Sequence, residues 1–155
     1  IGYQSEFLSD TRGTGVLNRL YHSHQPYVGD IPGRRNGVLI STDQGEAVAY
    51  ALFNLQDRGT MFVSHQEKVY KGMIVGENSR PNDLEVNVLK GKQLTNVRAS
   101  GTDDAVRLTP PKQMTLEEMM AYLDEDELVE VTPLSLRLRK RHLCPNARKR
   151  EKRGK

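Results

Sequence analysis

The sequence predicts an α+β fold, mostly β: a small barrel-like antiparallel sheet with one capped helix. Three observations lead there. Between Val38 and Leu89, short apolar runs alternate with clusters of Gly, Asn, Asp and Pro, the spacing of strands joined by turns. After Pro110 and Pro111, the stretch from Thr115 to Glu118 has the S/T-x-x-E pattern of a capping box. A chain of 155 residues, 36% of them hydrophobic, is enough for one real core and a fragment of a second unit.

The elements follow in order. Gly2 to Thr11 reads as the end of a helix, with Tyr3, Phe7 and Leu8 spaced for one face and Gly13 and Gly15 as stops. Val16 to His22 could form a strand. Gln25 to Gly37, with two Pro, three Gly and the pair Arg34 and Arg35, reads as a boundary loop, which divides the chain into residues 1–30, a domain over 31–143 and a basic tail over 144–155. Val38 to Ser41 and Ala47 to Leu55 read as strands, the second apolar on both faces and therefore internal. Met61 to Val63, Met73 to Glu77 and Leu84 to Leu89 add short strands, and in the last Leu84, Val86 and Val88 alternate with Glu85 and Asn87.

Thr115 is the predicted N-cap of a helix running to about Leu123, with Glu117 and Glu118 in the first turn, where the helix dipole favours negative charge. Leu128 to Val131 and Leu134 to Leu138 are the final strands. In the last, alternation puts Leu134, Leu136 and Leu138 on a core face and Arg137, Arg139 and Arg141 on the other. Beyond His142 the residues are too polar to pack, which predicts a frayed helix or disorder.

Charge is distributed unevenly. Of 23 Lys and Arg and 20 Asp and Glu, the segment 134–155 holds ten and one, leaving 13 against 19 in residues 1–133. The acidic side chains concentrate between Gln113 and Leu136, where no cation occurs. A polyanion would meet only the basic surface productively. The single Cys144 permits no intrachain disulfide and fits a reducing compartment. No signal-peptide pattern follows Ile1, and the longest apolar run, Ala47 to Phe53, is far short of a membrane span, so the expectation is a soluble, cytoplasmic piece of a longer chain.

The familiar motifs of phosphate, metal and acyl chemistry (GxxxxGK[ST], HExxH, paired CxxC, GxSxG) do not occur. His22 and His24 sit at period two, a geometry two metal ligands could use, but with no third ligand nearby they read better as exposed side chains. His142 and Cys144 flank the polar tail rather than a pocket, and the acidic run Asp124 to Glu127 lacks the spacing of a calcium loop. No catalytic, metal or cofactor site is expected.

What the residues do favour is contact with nucleic-acid backbone. Arg137, Arg139, Lys140 and Arg141 would form a row of cations held in register by a strand, the alternative being a charged edge that only resists aggregation. Lys90 to Pro111 has no period of its own and carries Lys90, Lys92, Arg98 and Arg107 among small polar residues, the composition of a functional arm or of a passive loop. With aromatics at 6% and no RNP pattern, such contacts would read shape and phosphate rather than base sequence.

Five blocks make the chain more specific: RNGVLIS (Arg35 to Ser41), AVAYALFNLQDRG (Ala47 to Gly59), GKQLTNVRASGTDDAV (Gly91 to Val106), MTLEEMMAYLDEDELVEVTP (Met114 to Pro133) and LRLRKRHL (Leu136 to Leu143). Together they resemble the C-terminal region of the BipA, or TypA, family of bacterial translational GTPases, related to elongation factor G. The resemblance implies that Ile1 to about Tyr27 are the helix–strand remnant of a ferredoxin-like domain and that the rest is a ribosome-binding domain. It implies that the loop Gly91 to Pro110 reaches the A site of the large subunit. There Lys92, Asn96, Arg98 and Ser100 would contact the tRNA acceptor end; basic surface elsewhere would hold ribosomal RNA, and by their charge Arg137, Arg139, Lys140 and Arg141 would be those contacts. GTP and magnesium would belong to a domain outside this chain, which should act as a monomer without hydrolysing GTP. The competing reading is a protein-interaction module built on the acidic region 115–130.

Overall fold

In a computed structural model, the structure describes residues 3–27, 34, 36–91 and 108–154. The core of the domain is strand β1, Val38–Ser41, whose four residues are all buried. An all-apolar run with both faces covered belongs in the centre of a layered structure. It lies between β5 (Ile74–Asn78) and β6 (Leu84–Val86), and β3 (Gly59–Met61) completes the order β3-β5-β1-β6. β5 runs antiparallel to both β1 and β3, whereas β6 is parallel to β1. The short link 79–83 thus carries the chain past β1 rather than closing a hairpin. The expected barrel is therefore an open mixed sheet, since β3 and β6 are edges that do not meet.

Two cores lie on either side of β1. On one face Leu39 joins Val75, Val86 and Val88 under helix α2 (Ala49–Leu55), which contributes Leu52. On the other, Val38 and Ile40 pack with Ile74, Met119 of helix α3 (Leu116–Tyr122) and Leu138. The segment Ala47 to Leu55, expected as an internal strand, is thus largely helical. A short run apolar all round does not distinguish a buried strand from a buried helix, and alanines at 47, 49 and 51 favour the helix once one face has a sheet to cover. A two-stranded pair, β2 (Gly45–Glu46) with β4 (Lys68–Val69), flanks this side.

The capping box is present as predicted. The Glu118 amide donates to Thr115 Oγ1 and the Thr115 amide to a Glu118 carboxylate oxygen, at 3.3 and 2.8 Å. After α3 comes the hairpin β7 (Glu127–Val131) and β8 (Leu136–Lys140), with Val129 opposite Leu138 and Glu130 opposite Arg137. β8 joins the main sheet where Met73 bridges Arg139 and the Lys140 amide donates to the Gly72 carbonyl at 2.9 Å. Gly72 has φ +85°, and a Cβ there would lie 2.7 Å from the Leu143 backbone, so no other residue fits this crossing.

Leu134, expected in the core with Leu136 and Leu138, is instead 97% exposed at the hairpin turn. The position left vacant on the core face belongs to Lys140, which has the same parity as the two leucines and is 1% exposed. Its ammonium lies 2.9 Å from carboxylate oxygens of Asp83, Asp126 and Glu127. Glu127 also accepts two hydrogen bonds from Arg34, each 2.8 Å. The Arg34 guanidinium in turn lies 4.4 Å from the centre of the Tyr122 ring, and that ring meets Phe62 edge-on at 5.5 Å. The cluster joins four separate segments of the chain.

At the amino end, α1 (Tyr3–Asp10) is present, but Val16 to His22 forms no strand. Val16 and Leu20 are 80% and 93% exposed, and no described strand lies alongside to satisfy their backbone groups. The tail, expected frayed or disordered, is the helix α4 (Pro145–Gly154).

Two predictions follow from this packing. Leu138→Ala should cost about 2–5 kcal/mol in chemical denaturation, whereas Leu134→Ala should change stability by less than about 0.5 kcal/mol. Lys140→Met, which leaves Glu127 with one cation fewer, should cost about 3–5 kcal/mol. Burial would raise the Glu127 carboxyl, but hydrogen bonds from Arg34 and Lys140 outweigh it and hold the group below its ordinary 4.5. Burial would likewise lower Lys140, yet its three carboxylate partners hold it above 10.5. Glu127 therefore stabilises fully above 4.5 and ceases to as pH falls through its lower folded value; Lys140 stabilises fully below 10.5 and ceases to as pH rises through its higher one. The stability difference between wild type and Lys140→Met should accordingly be greatest between those two values and shrink on either side, as measured by urea midpoints across the range.

Candidate nucleic-acid interface

The expected basic row is built on β8, and its usable part is smaller than the sequence suggested. Glu127 pairs with Lys140 on the face turned to the core, so Arg137 and Arg139 occupy the opposite face, across from Glu130 and Leu128. Both arginines are half-buried, and neither makes an ion pair among the described residues. Glu130, nearest in register to Arg137, accepts a hydrogen bond from the Tyr70 hydroxyl. Burial and this bond raise the Tyr70 hydroxyl pKa, so it stays a neutral donor.

Lys140 does not belong to this row. Its ammonium is enclosed by three carboxylates, and presenting it to a phosphate would break the cluster. Arg141, just past the strand, is exposed, donates to the Glu125 carbonyl and lies 3.6 Å from Glu151. The four tRNA-end residues, Lys92, Asn96, Arg98 and Ser100, lie outside the described residues, but the stems of their loop are anchored. The Val48 amide at the start of α2 donates to the Val88 carbonyl at 2.9 Å, and the Thr109 amide donates to Gln56 Oε1 just past its end at 3.1 Å. The stems thus straddle α2, a separation of roughly 10 Å for seven residues at the helical rise. On the returning side Lys112 is fixed at the sheet by its amide, 2.8 Å from the Met61 carbonyl.

Helix α4 adds cations that sequence reasoning left in a tail. Arg148 is 8% exposed; it donates to the His142 and Leu143 carbonyls at 2.9 and 2.8 Å and reaches Glu85 at 2.8 Å. This arginine docks the helix, and Lys149, Arg150 and Arg153 remain exposed. A signal was available: Pro145 directly after Cys144 is the N1 proline of a helix start. The Cys144 thiol is held below its ordinary range by the Ala147 and Asn146 amides of that first turn. His22 and His24 are exposed and hydrogen-bond to Ser23 and Tyr21. Among the described residues no group of three or more His, Cys, Asp or Glu could hold a metal ion, and no helix is long and apolar enough to cross a membrane.

Taken together, the described surface can present guanidinium and ammonium groups to phosphate oxygens from a stiff strand and a docked helix. Comparison with known proteins agrees with the sequence blocks. Residues 36–145 match the family model of the TypA/BipA C-terminal domain. Over 155 residues the chain is 56% identical to the large ribosomal subunit assembly factor BipA of Salmonella typhimurium and to that of Escherichia coli K12, covering 99% of this chain and 26% of each relative. The protein of the same name from Buchnera aphidicola subsp. Schizaphis graminum is 53% identical over 154 residues, 25% of its length. The chain thus spans about a quarter of these relatives, and it belongs to the TypA/BipA C-terminal domain family.

Proposed function

We propose that this chain is the ribosome-docking, RNA-binding C-terminal part of a cytoplasmic translational GTPase that serves large-subunit assembly. The observation that carries the reading is the pair Arg137 and Arg139, half-buried on the β8 face opposite Leu136 and Leu138, with no ion pair among the described residues. An arginine not committed to an ion pair and held on a rigid strand suits a phosphate at low ordering cost. Exposed Arg141, Lys149, Arg150 and Arg153 extend the surface toward ribosomal RNA. The loop 91–110, through Lys92, Asn96, Arg98 and Ser100, would meet the acceptor end of an A-site tRNA. Relatives named as large-subunit assembly factors support the ribosome as partner. The chain has no GxxxxGK[ST] loop to cradle a triphosphate, so GTP and magnesium are assigned to the remainder of the parent protein, and the chain acts as a monomer without turnover.

A second reading makes the acidic region 115–130 a protein-docking face, favoured by Leu116 and Met120, which are exposed one helical turn apart on α3. Much of its charge is already engaged within the domain: Glu118 in the capping box, Asp126 and Glu127 on Lys140, and Glu130 on Tyr70. That engagement weakens it.

Sedimentation with 70S ribosomes at two salt concentrations tests the first reading. Binding should be clear at low salt and fall steeply as salt rises, with the Arg137→Ala/Arg139→Ala pair lowering both affinity and the salt slope, by roughly 0.7–0.9 for each lost phosphate contact. Binding that ignores salt would refute it. Arg98→Ala should weaken ribosome or tRNA-end contact with no change in melting temperature; a loss of stability instead would assign that residue to packing.

A further inference from the structure

Between the tip of the β7–β8 hairpin, the segment 112–114 and α3 lies a half-open cleft of about 540 Å³. This is within the ~300–1,000 Å³ range of pockets that take small-molecule-sized groups. Its floor is apolar, formed by Phe62, Ile74, Met114, Met119, Leu136 and Leu138. Two cations and one carboxylate line it: Lys112, fixed by its amide to Met61, Arg137, and Glu67, which accepts hydrogen bonds from the Ser64 amide and hydroxyl at 2.9 and 3.2 Å. The Nε–H of Arg137 is buried and has no hydrogen-bond acceptor among the described residues. A buried donor without an acceptor is costly and calls for an explanation.

The lip of the cleft is equally unusual. The turn at its edge is fixed by four hydrogen bonds between Thr132 and Ser135, two from the Thr132 and Ser135 amides and two involving Thr132 Oγ1 with the Ser135 carbonyl and hydroxyl. This closed turn nevertheless holds Leu134 97% exposed. Leu134 therefore gives the rim of the cleft an apolar edge beside its floor.

We infer that this cleft receives one unstacked nucleotide of RNA, its base against the apolar floor and Leu134, its phosphate on the Arg137 guanidinium and the Lys112 ammonium. The inference rests on the RNA-docking reading above and deepens it. Charge complementarity selects the occupant: with two cations against one carboxylate, and that carboxylate already bonded to Ser64, an apolar floor with net positive charge matches a base carrying a phosphate, the form in which single-stranded loops and bulges of RNA are recognised. An apolar protein segment would match the floor but leave the Arg137 donor and Lys112 without an anion. The cleft would take a base for its π-face, so recognition depends on an unpaired base being present rather than on its identity.

The test uses the whole chain and two fluorescent probes, an RNA octamer of uridylate and the same ribose-phosphate octamer without bases, compared by anisotropy at one salt concentration. Wild type should prefer the base-containing probe by about tenfold, the scale of one stacked base. Gln113→Trp, an exposed rim position whose indole would fill the cleft, should remove the preference and leave affinity for the abasic probe unchanged. Arg137→Met should weaken both probes, and it keeps the inference testable should the tryptophan variant fail to fold by circular dichroism. Equal affinity for the two probes in wild type, or a preference that survives in Gln113→Trp, overturns the cleft assignment, and intact salt-dependent 70S binding would show that the docking reading stands without it. A photoreactive benzoylphenylalanine in place of Gln113 should crosslink to ribosomal RNA in the 70S complex; crosslinks to ribosomal protein alone would hand the cleft to a protein and overturn the inference.

Discussion

The rest of the domain depends on one buried ammonium. Lys140 ends β8 on the core side, and removing an amine from water costs several kcal/mol unless well-placed anions replace the lost hydration. Asp83, Asp126 and Glu127 supply them at 2.9 Å each. Because the three come from the link before β6 and from the start of β7, the ammonium ties the hairpin to the main sheet. It also fixes register. A slip of one residue would turn Lys140 outward, drive Arg139 or Arg141 inward, and leave Glu127 buried with Arg34 alone. The same constraint therefore sets the placement of Arg137 and Arg139, so the buried and the unpaired charges on β8 are not independent.

This coupling explains why sequence reasoning found the strand but misplaced one of its cations. Alternation was legible: Leu136 and Leu138 on one face, Arg137 and Arg139 on the other. Charge groups Lys140 with the arginines, although its even parity puts it with the leucines. A lysine at an apolar parity position, downstream of an acidic run that begins the partner strand, is the pattern of a buried ion cluster. β1, β5 and the capping box of α3 were legible because each carries a local, periodic or capping signal. α2 was not, since a short run apolar all round fits strand and helix alike and only the sheet beneath it decides. Nor was the parallel β1–β6 pairing, which is a property of how the chain passes β1 rather than of any one segment. Of the candidate site, the composition of the loop 91–110 and the β8 arginines were visible in the sequence. The roles of Lys112 and Arg148 were not, because each depends on contacts between distant segments.

The strong basicity of residues 134–155 also divides on folding. Lys140, Arg141 and Arg148 are paired with Asp83, Asp126, Glu127, Glu151 and Glu85. Part of the opposition between an acidic middle and a basic end is thus resolved inside the domain, as intramolecular pairs rather than as long-range field. The field left to a partner is weaker than the sequence charge suggests. It is also better organised, because the paired cations hold the unpaired ones in place: Lys140 orients the strand that carries Arg137 and Arg139, and Arg148 docks the helix that carries Lys149, Arg150 and Arg153.

That division bears on how such a surface would select among polyanions. A disordered basic tail binds phosphates anywhere and gives up conformational entropy with each contact. Cations on a strand and on a docked helix have lost most of that freedom already on folding, so less is lost on binding and the spacing of the groups can select among arrangements of phosphates. Shape selectivity of this kind needs no base-reading side chains, in keeping with a sequence poor in aromatics. What it does need is a rigid frame, and in this domain the frame is provided by the buried charges rather than by the exposed ones.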